Sequence, residues 1–111
     1  MNPIIDKPHF IHLLLQYPEM PHYALPEEKF KIPAAWLIEQ VGLKGVRDGK
    51  VGTYPKQPLV IVNYDNAYSY EVVDFAQRII DAVRQQFDIE LHPEVRMVRS
   101  GAQESIGNIG R

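Results

Sequence analysis

One stretch constrains this chain more than any other. Val72, Ala76, Ile79, Ile80, Val83 and Phe87 recur at helical spacing and build the longest helical pattern in the sequence. Ser69 is placed to cap it, and Glu71 favours its first turn. A helix with one apolar stripe must bury that stripe against something else. The sequence offers strands on both sides of it. Before it, Leu59-Val60-Ile61-Val62 is a continuous β-rich run and reads as a buried strand. After it, residues 89–98 alternate: Ile89, Leu91, Pro93, Val95 and Met97 point one way, Glu90, His92, Glu94 and Arg96 the other. Pro93 puts that strand at an edge or makes a bulge.

The first half adds smaller pieces. Asp6 can cap a helix whose early turn holds Pro8, with Phe10, Leu13, Leu14 and Tyr17 at helical spacing and Pro18 as the stop. Residues 18–28 hold Pro18, Pro21 and Pro26 and read as an irregular connection. Lys29-Phe30-Lys31-Ile32 alternates like a short strand. Pro33 suits the first position of a second helix with the stripe Ala34, Leu37, Ile38 and Val41, and Gly42 suits its C-terminal end. Residues 43–58 read as turns with one short strand around Val51–Tyr54, and residues 63–67 as a turn. The expected fold is α+β: a small, mostly antiparallel sheet with about three helices packed on one side. Residues 1–99 read as one domain and residues 100–111 as a flexible tail with three glycines.

Composition removes several functions. The chain has 111 residues, enough for one core, and 12 Lys and Arg stand against 14 Asp and Glu for a net charge of −2. That balance lacks the basic field of a nucleic-acid binder and the polybasic segment of a membrane-surface protein. No apolar run approaches the roughly 20 residues of a membrane span, and the N-terminus has no signal-peptide pattern. Without cysteine there is no disulfide, thiolate ligand or thiol nucleophile, which is compatible with the cytoplasm.

Little in the residues themselves names a reaction. His9 and His12 share a helix face, but no third ligand has metal spacing, so no metal site is expected. The glycines of residues 42–52, with Lys44, Arg47, Lys50 and Lys56 around them, could offer an anion site or could simply form solvated turns. Glu94 sits on the polar face of a strand with Arg96 two residues on. Rigid strands hold functional groups well, although most such carboxylates only face water. The six tyrosines are scattered and read as structural.

Three motifs in order carry a resemblance. IPAAWLIEQVGLKG (residues 32–45), QPLVIVNYDNA (residues 57–67) and LHPEVRMV (residues 91–98) are together similar to the substrate-binding domain of UDP-N-acetylenolpyruvoylglucosamine reductase, also called UDP-N-acetylmuramate dehydrogenase. With the first five residues, the likeness runs nearly to Val98. Asn2-Pro3 resembles the end of a family segment S-F-F-K-N-P, which suggests an excised domain whose proton-donating serine and N-terminal flavin-binding region lie upstream and are missing.

The resemblance implies an oxidoreductase of peptidoglycan synthesis in the cytoplasm. Its complete form uses NADPH to reduce FAD and then passes a hydride to the enolpyruvyl group of UDP-N-acetylglucosamine enolpyruvate. Negative charge then builds beside the substrate carboxylate, and fixed polar groups must stabilise it before an acid protonates it. The glutamate matched by Glu94 assists the enolic intermediate, and a carboxylate can do so only when protonated or bridged by a cation or donor. Asn2 and Gln57 match residues that contact the UDP, and Lys44 of L-K-G suits a diphosphate. The fragment is expected to retain no cofactor and to be inactive without its flavin-binding partner domains. Where many members carry Gly-Gly-Ala-Ala-Val-His this chain reads Gly49-Lys50-Val51-Gly52-Thr53-Tyr54, so Tyr54 is given no role. Two other readings stay open: a free-standing UDP-sugar binding module, and a ligand-free interaction domain that uses an apolar patch.

Overall fold

Residues 2–54, 56–64 and 67–97 are described by a computed structural model of the chain. The segment read as a flexible tail, residues 100–111, lies outside them. Among the described residues the order is β1 (Ile4–Asp6), α1 (Lys7–Gln16), β2 (Tyr23–Leu25), β3 (Lys29–Lys31), α2 (Ala34–Gln40), β4 (Arg47–Asp48), β5 (Val51–Tyr54), β6 (Gln57–Asn63), α3 (Ser69–Phe87) and β7 (Glu94–Met97). The architecture is α+β, as the patterns imply.

The strands form two sheets rather than one. β1, β3 and β2 make a small antiparallel sheet in that spatial order. β4, β5, β6 and β7 make the second; its pairs are antiparallel except β6 with β7, which is parallel. The parallel pair follows from α3. A helix of 19 residues is about 28 Å long and carries the chain back to the starting end of β6, so β7 must run the same way. β1 and β2 fall where the sequence shows only a cap and an irregular connection. Each is three residues long, too short for alternation to show, and each is defined by its pairing with β3.

The helices form for the expected reasons, with small shifts at their ends. The Asp6 carboxylate accepts from the His9 amide at 3.1 Å and caps α1. α2 begins one residue later than expected, with Pro33 as its cap and Ala34 as its first residue. In α3 the cap is Tyr68, not Ser69; the Glu71 carboxylate reaches back to the Tyr68 amide at 2.7 Å. The last strand starts later than the alternation suggests: residues 89–93 are irregular, and among the described residues of this stretch only Glu94–Met97 pairs, Val98 lying outside them. Pro93 stands just before it, and β7 is an edge strand, as a proline there favours.

The core lies between the helices and one face of the four-stranded sheet. α3 contributes Val72, Phe75, Ile79, Val83 and Phe87; α2 contributes Ala34, Leu37 and Ile38; the sheet contributes Val51 and Ile61. The irregular residues Ile89 and Leu91 are buried in the same core, which explains their apolar alternation without a strand. α1 adds Phe10 and Leu13, and the Phe10 ring stacks on Phe30 of β3 with centroids 3.9 Å apart. His9 is used structurally, its Nε2 lying 2.8 Å from the Phe87 carbonyl oxygen at the end of α3.

Candidate functional site

The four-stranded sheet has two unlike faces. Residues paired in register share a face. Val51 and Thr53 of β5, with their partners Asn63 and Ile61 of β6, belong to the helix side. The alternate positions belong to the other side. There Arg47, Gly52, Val62 and Arg96 form one row across all four strands, and Val60 pairs with Glu94 in the neighbouring row. Val60 and Val62 are buried on this side beneath the half-buried Tyr54 and Tyr64. The Arg47 guanidinium lies over the Tyr64 ring, 4.3 Å from its centroid.

Glu94 opens β7 on this face, opposite the helices described, and is exposed to solvent. Arg96, next along the same face, donates from Nη2 to Glu94 Oε2 at 2.9 Å. The two residues share a face, as their two-residue spacing implies, and the side chains also pair. An exposed pair of this kind contributes little to stability, but it holds a cation against the carboxylate.

The other predicted residues are placed by different elements. Gln57 begins β6 and pairs with Tyr54 of β5. Its backbone lies about 10 Å before the Val60–Glu94 row along the strand, at the same end of the sheet. Lys44 follows α2 in a loop that closes against Thr53 of β5; its Nζ is 3.7 Å from Glu39 Oε2, and both side chains are exposed. Gln57, Lys44 and Glu94 thus lie toward the same end of the strands, with Lys44 on the β4–β5 side of the sheet and Glu94 on β7 at the other side. Asn2 is not brought to that group through α2. Its Oδ1 accepts from the Ala34 amide at 2.9 Å, at the end of α2 remote from Lys44. Sequence reasoning missed this structural duty, because its partner lies 32 positions away. It also missed that Arg47 and Tyr64 share the face of Glu94, which only the hairpin register reveals.

Among the described residues no group of three metal-ligating side chains converges, and no helix is long and apolar enough to cross a membrane. Two surface clefts test the fit of a dinucleotide cofactor. Asp6, Asp88 and Glu90 line one beside Lys29, His9 and His92. Asp48, Glu71 and Asp74 line the other beside Lys50 and Arg78. A flavin or nicotinamide dinucleotide carries an anionic diphosphate, which carboxylate-rich clefts repel. Neither of these two clefts is a predominantly basic cradle for such a diphosphate.

Comparison with known proteins decides the family. Residues 2–98 match the family described as UDP-N-acetylenolpyruvoylglucosamine reductase, C-terminal domain. The chain belongs to that family. Within the reductase C-terminal domain family it is similar to longer relatives, each named UDP-N-acetylenolpyruvoylglucosamine reductase. It is 47% identical over 98 residues to that of Porphyromonas gingivalis, covering 88% of this chain and 29% of the relative. Identity to the Haemophilus ducreyi relative is 40% over 97 residues, covering 87% and 28%. To the Bacteroides fragilis relative it is 39% over 98 residues, covering 88% and 30%. The chain therefore spans about three tenths of the length of these relatives. Glu94, Gln57, Lys44 and Asn2 all fall inside the stretch that matches the reductase C-terminal domain.

Proposed function

We propose that residues 1–99 are the substrate-side domain of a UDP-N-acetylenolpyruvoylglucosamine reductase, the enzyme that makes UDP-N-acetylmuramate for peptidoglycan. In this reading the domain itself holds the UDP of UDP-N-acetylglucosamine enolpyruvate and sets Glu94 beside the enolpyruvyl group. The observation that carries the proposal is the position of Glu94: on β7, on the sheet face opposite the core, 2.9 Å from Arg96, within the family match.

The chemistry asks for such a pair. Once a hydride has been added to the enolpyruvyl group, negative charge accumulates next to the substrate carboxylate. A bare glutamate would repel it. A glutamate bridged by Arg96, or protonated, can instead accept or donate a hydrogen bond at the enolic oxygen. The strand fixes both residues before the charge appears, so little reorganisation is needed as it forms. Lys44 offers a point charge to the diphosphate, and Gln57 an amide to the uridine side. Asn2 reaches the ligand only with the donor half of its amide, since Oδ1 already caps α2.

In this reading FAD and NADPH belong to other domains of the complete enzyme, which the carboxylates lining the two clefts of this domain support. Those flavin-binding domains are its partners, and this chain without them performs no reduction. The enzyme works in the cytoplasm, and its product feeds the wall synthesis on which cell shape and division depend.

Titration of the isotope-labelled chain with UDP-N-acetylglucosamine enolpyruvate, followed by amide chemical shifts, tests the proposal. Localised shifts at Asn2, Lys44, Gln57 and the residues around Glu94 are expected. A well-dispersed spectrum that stays unchanged at millimolar ligand would sink it.

A further inference from the structure

We infer that Thr53 is the positioning residue of the Lys44 loop and sets the affinity for the diphosphate without touching it. The inference rests on the reading that Lys44 meets the UDP diphosphate.

Three hydrogen bonds converge on this one residue. The Thr53 hydroxyl donates to the Leu43 carbonyl at 2.5 Å and accepts from the Val46 amide at 3.0 Å. The Thr53 amide donates to the Val46 carbonyl at 2.8 Å. Together they close residues 43–46 onto β5, with Lys44 between the two anchored ends. Thr53 is only 2% exposed, so water does not compete for these bonds. Such close approach needs the neighbouring glycine. A Cβ on Gly52 would lie 2.6 Å from the Val46 carbonyl oxygen and 2.9 Å from the Arg47 Cα. The backbone could not yield to that contact without opening the clamp.

Lysine itself is a poor instrument for fixed recognition, since its ammonium rides on a flexible four-carbon stem. What can be fixed is the Cα from which the stem starts. A loop tied down at Leu43 and Val46 holds that Cα still and lowers the ordering cost when the ammonium meets a phosphate. Without the hydroxyl, the Val46 amide and the Leu43 carbonyl lose their partner, and the loop must open towards water to satisfy them. Lys44 would then start from a spread of positions. Glu39, 3.7 Å from its ammonium, would remain an alternative partner on α2.

The test compares UDP with uridine as probes of the full chain, using wild type, T53V, T53S, K44A and the T53V/K44A double variant. K44A should weaken UDP about tenfold or more, as expected for a hydrogen bond to a charged group, and leave uridine unchanged. T53V should weaken UDP by about three- to tenfold and uridine by less than about twofold, as loss of preorganisation predicts. T53S, which keeps the hydroxyl, should bind UDP like the wild type. In the K44A background T53V should add almost nothing, because the two act as one unit. Equal loss of UDP and uridine on T53V, or a full T53V effect without Lys44, would make Thr53 merely structural and overturn the inference. Unchanged UDP affinity in T53V overturns it too. If the wild type binds no UDP, the proposed function itself fails. If T53V does not fold, amide exchange in the wild type decides: a Val46 amide as slow as those of β6 supports the clamp, and rapid exchange refutes it.

Discussion

The two faces of the four-stranded sheet are built from the same strands, yet they solve different problems. On the helix side Val51 and Ile61 meet the apolar stripes of α2 and α3 in one continuous core. On the other side Val60 and Val62 are also buried, but only beneath Tyr54 and Tyr64, with Arg47, Glu94 and Arg96 on the same face. The first face holds the fold together. The second has a small apolar floor and charged groups held on short, rigid strands. β6 is apolar on both sides because both faces are covered, one by helices and one by the Tyr54 and Tyr64 rings. The main apolar core and the charged groups are thereby separated across the thickness of one sheet.

The separation can be broken on the helix side first. Ile79 is fully buried at the centre of α3, so Ile79→Ala should cost about 2–5 kcal/mol of unfolding free energy, read from the urea midpoint. A loss under 1 kcal/mol would mean that the helix side is not the main core. Val62→Ala on the opposite face removes less volume. Tyr54 and Tyr64 are only half-buried and can close over the gap, so a cost of about 1–2 kcal/mol is expected. If the two variants cost the same, the two faces are equal partners in stability, and the contrast drawn between them falls.

Much of this architecture is legible in the sequence, and the exceptions have a common cause. The stripes of α1, α2 and α3, the run of β6 and the shared face of Glu94 and Arg96 are local patterns, written within a few residues of each other. The cap of α2 by Asn2, the pairing of β1 and β2 with β3, and the Thr53 clamp join residues that no period links. The parallel pairing of β6 and β7 is a different case. A strand, a long helix and a second strand all stand out in the sequence, and their succession implies a parallel crossover. The apolar alternation of residues 89–93 obscured it, since it resembles a longer strand fit for a hairpin. In fact Ile89 and Leu91 fill the core before the strand begins. For the site, local pattern suffices for Glu94 and its arginine, whereas the company of Arg47 and Tyr64 depends on the register of a hairpin.

A smaller effect sharpens the contrast. Arg47 lies 4.3 Å from the Tyr64 ring centroid, and its side chain is exposed. Arg47→Ala should cost about 0.5–1 kcal/mol, the range for an exposed cation over a ring, and Tyr64 fluorescence should report the change in its surroundings. A cost above 2 kcal/mol would make the guanidinium a structural lid over Val60 and Val62 rather than a modest contact.

The smallest effect on stability is expected at the proposed site. Glu94 is exposed, and its single described partner contact is the pair with Arg96, whose side chain is 31% exposed against 56% for Glu94. Solvent and salt screen such a pair, so Glu94→Gln should change the unfolding free energy by less than about 0.5 kcal/mol. The amide keeps the shape and can still accept from Arg96, but it lacks the charge that holds the guanidinium. UDP, which has no enolpyruvyl group, should bind the variant within about twofold of the wild type, since a group that meets only the reacting end adds nothing to a ligand without that end. Loss of 1 kcal/mol or more on this substitution would place Glu94 in the framework of the sheet. Loss of UDP affinity would instead bring it into the diphosphate's field beside Lys44. A neutral result on both counts leaves the carboxylate free of structural duty, as its proposed role at the enolpyruvyl end requires.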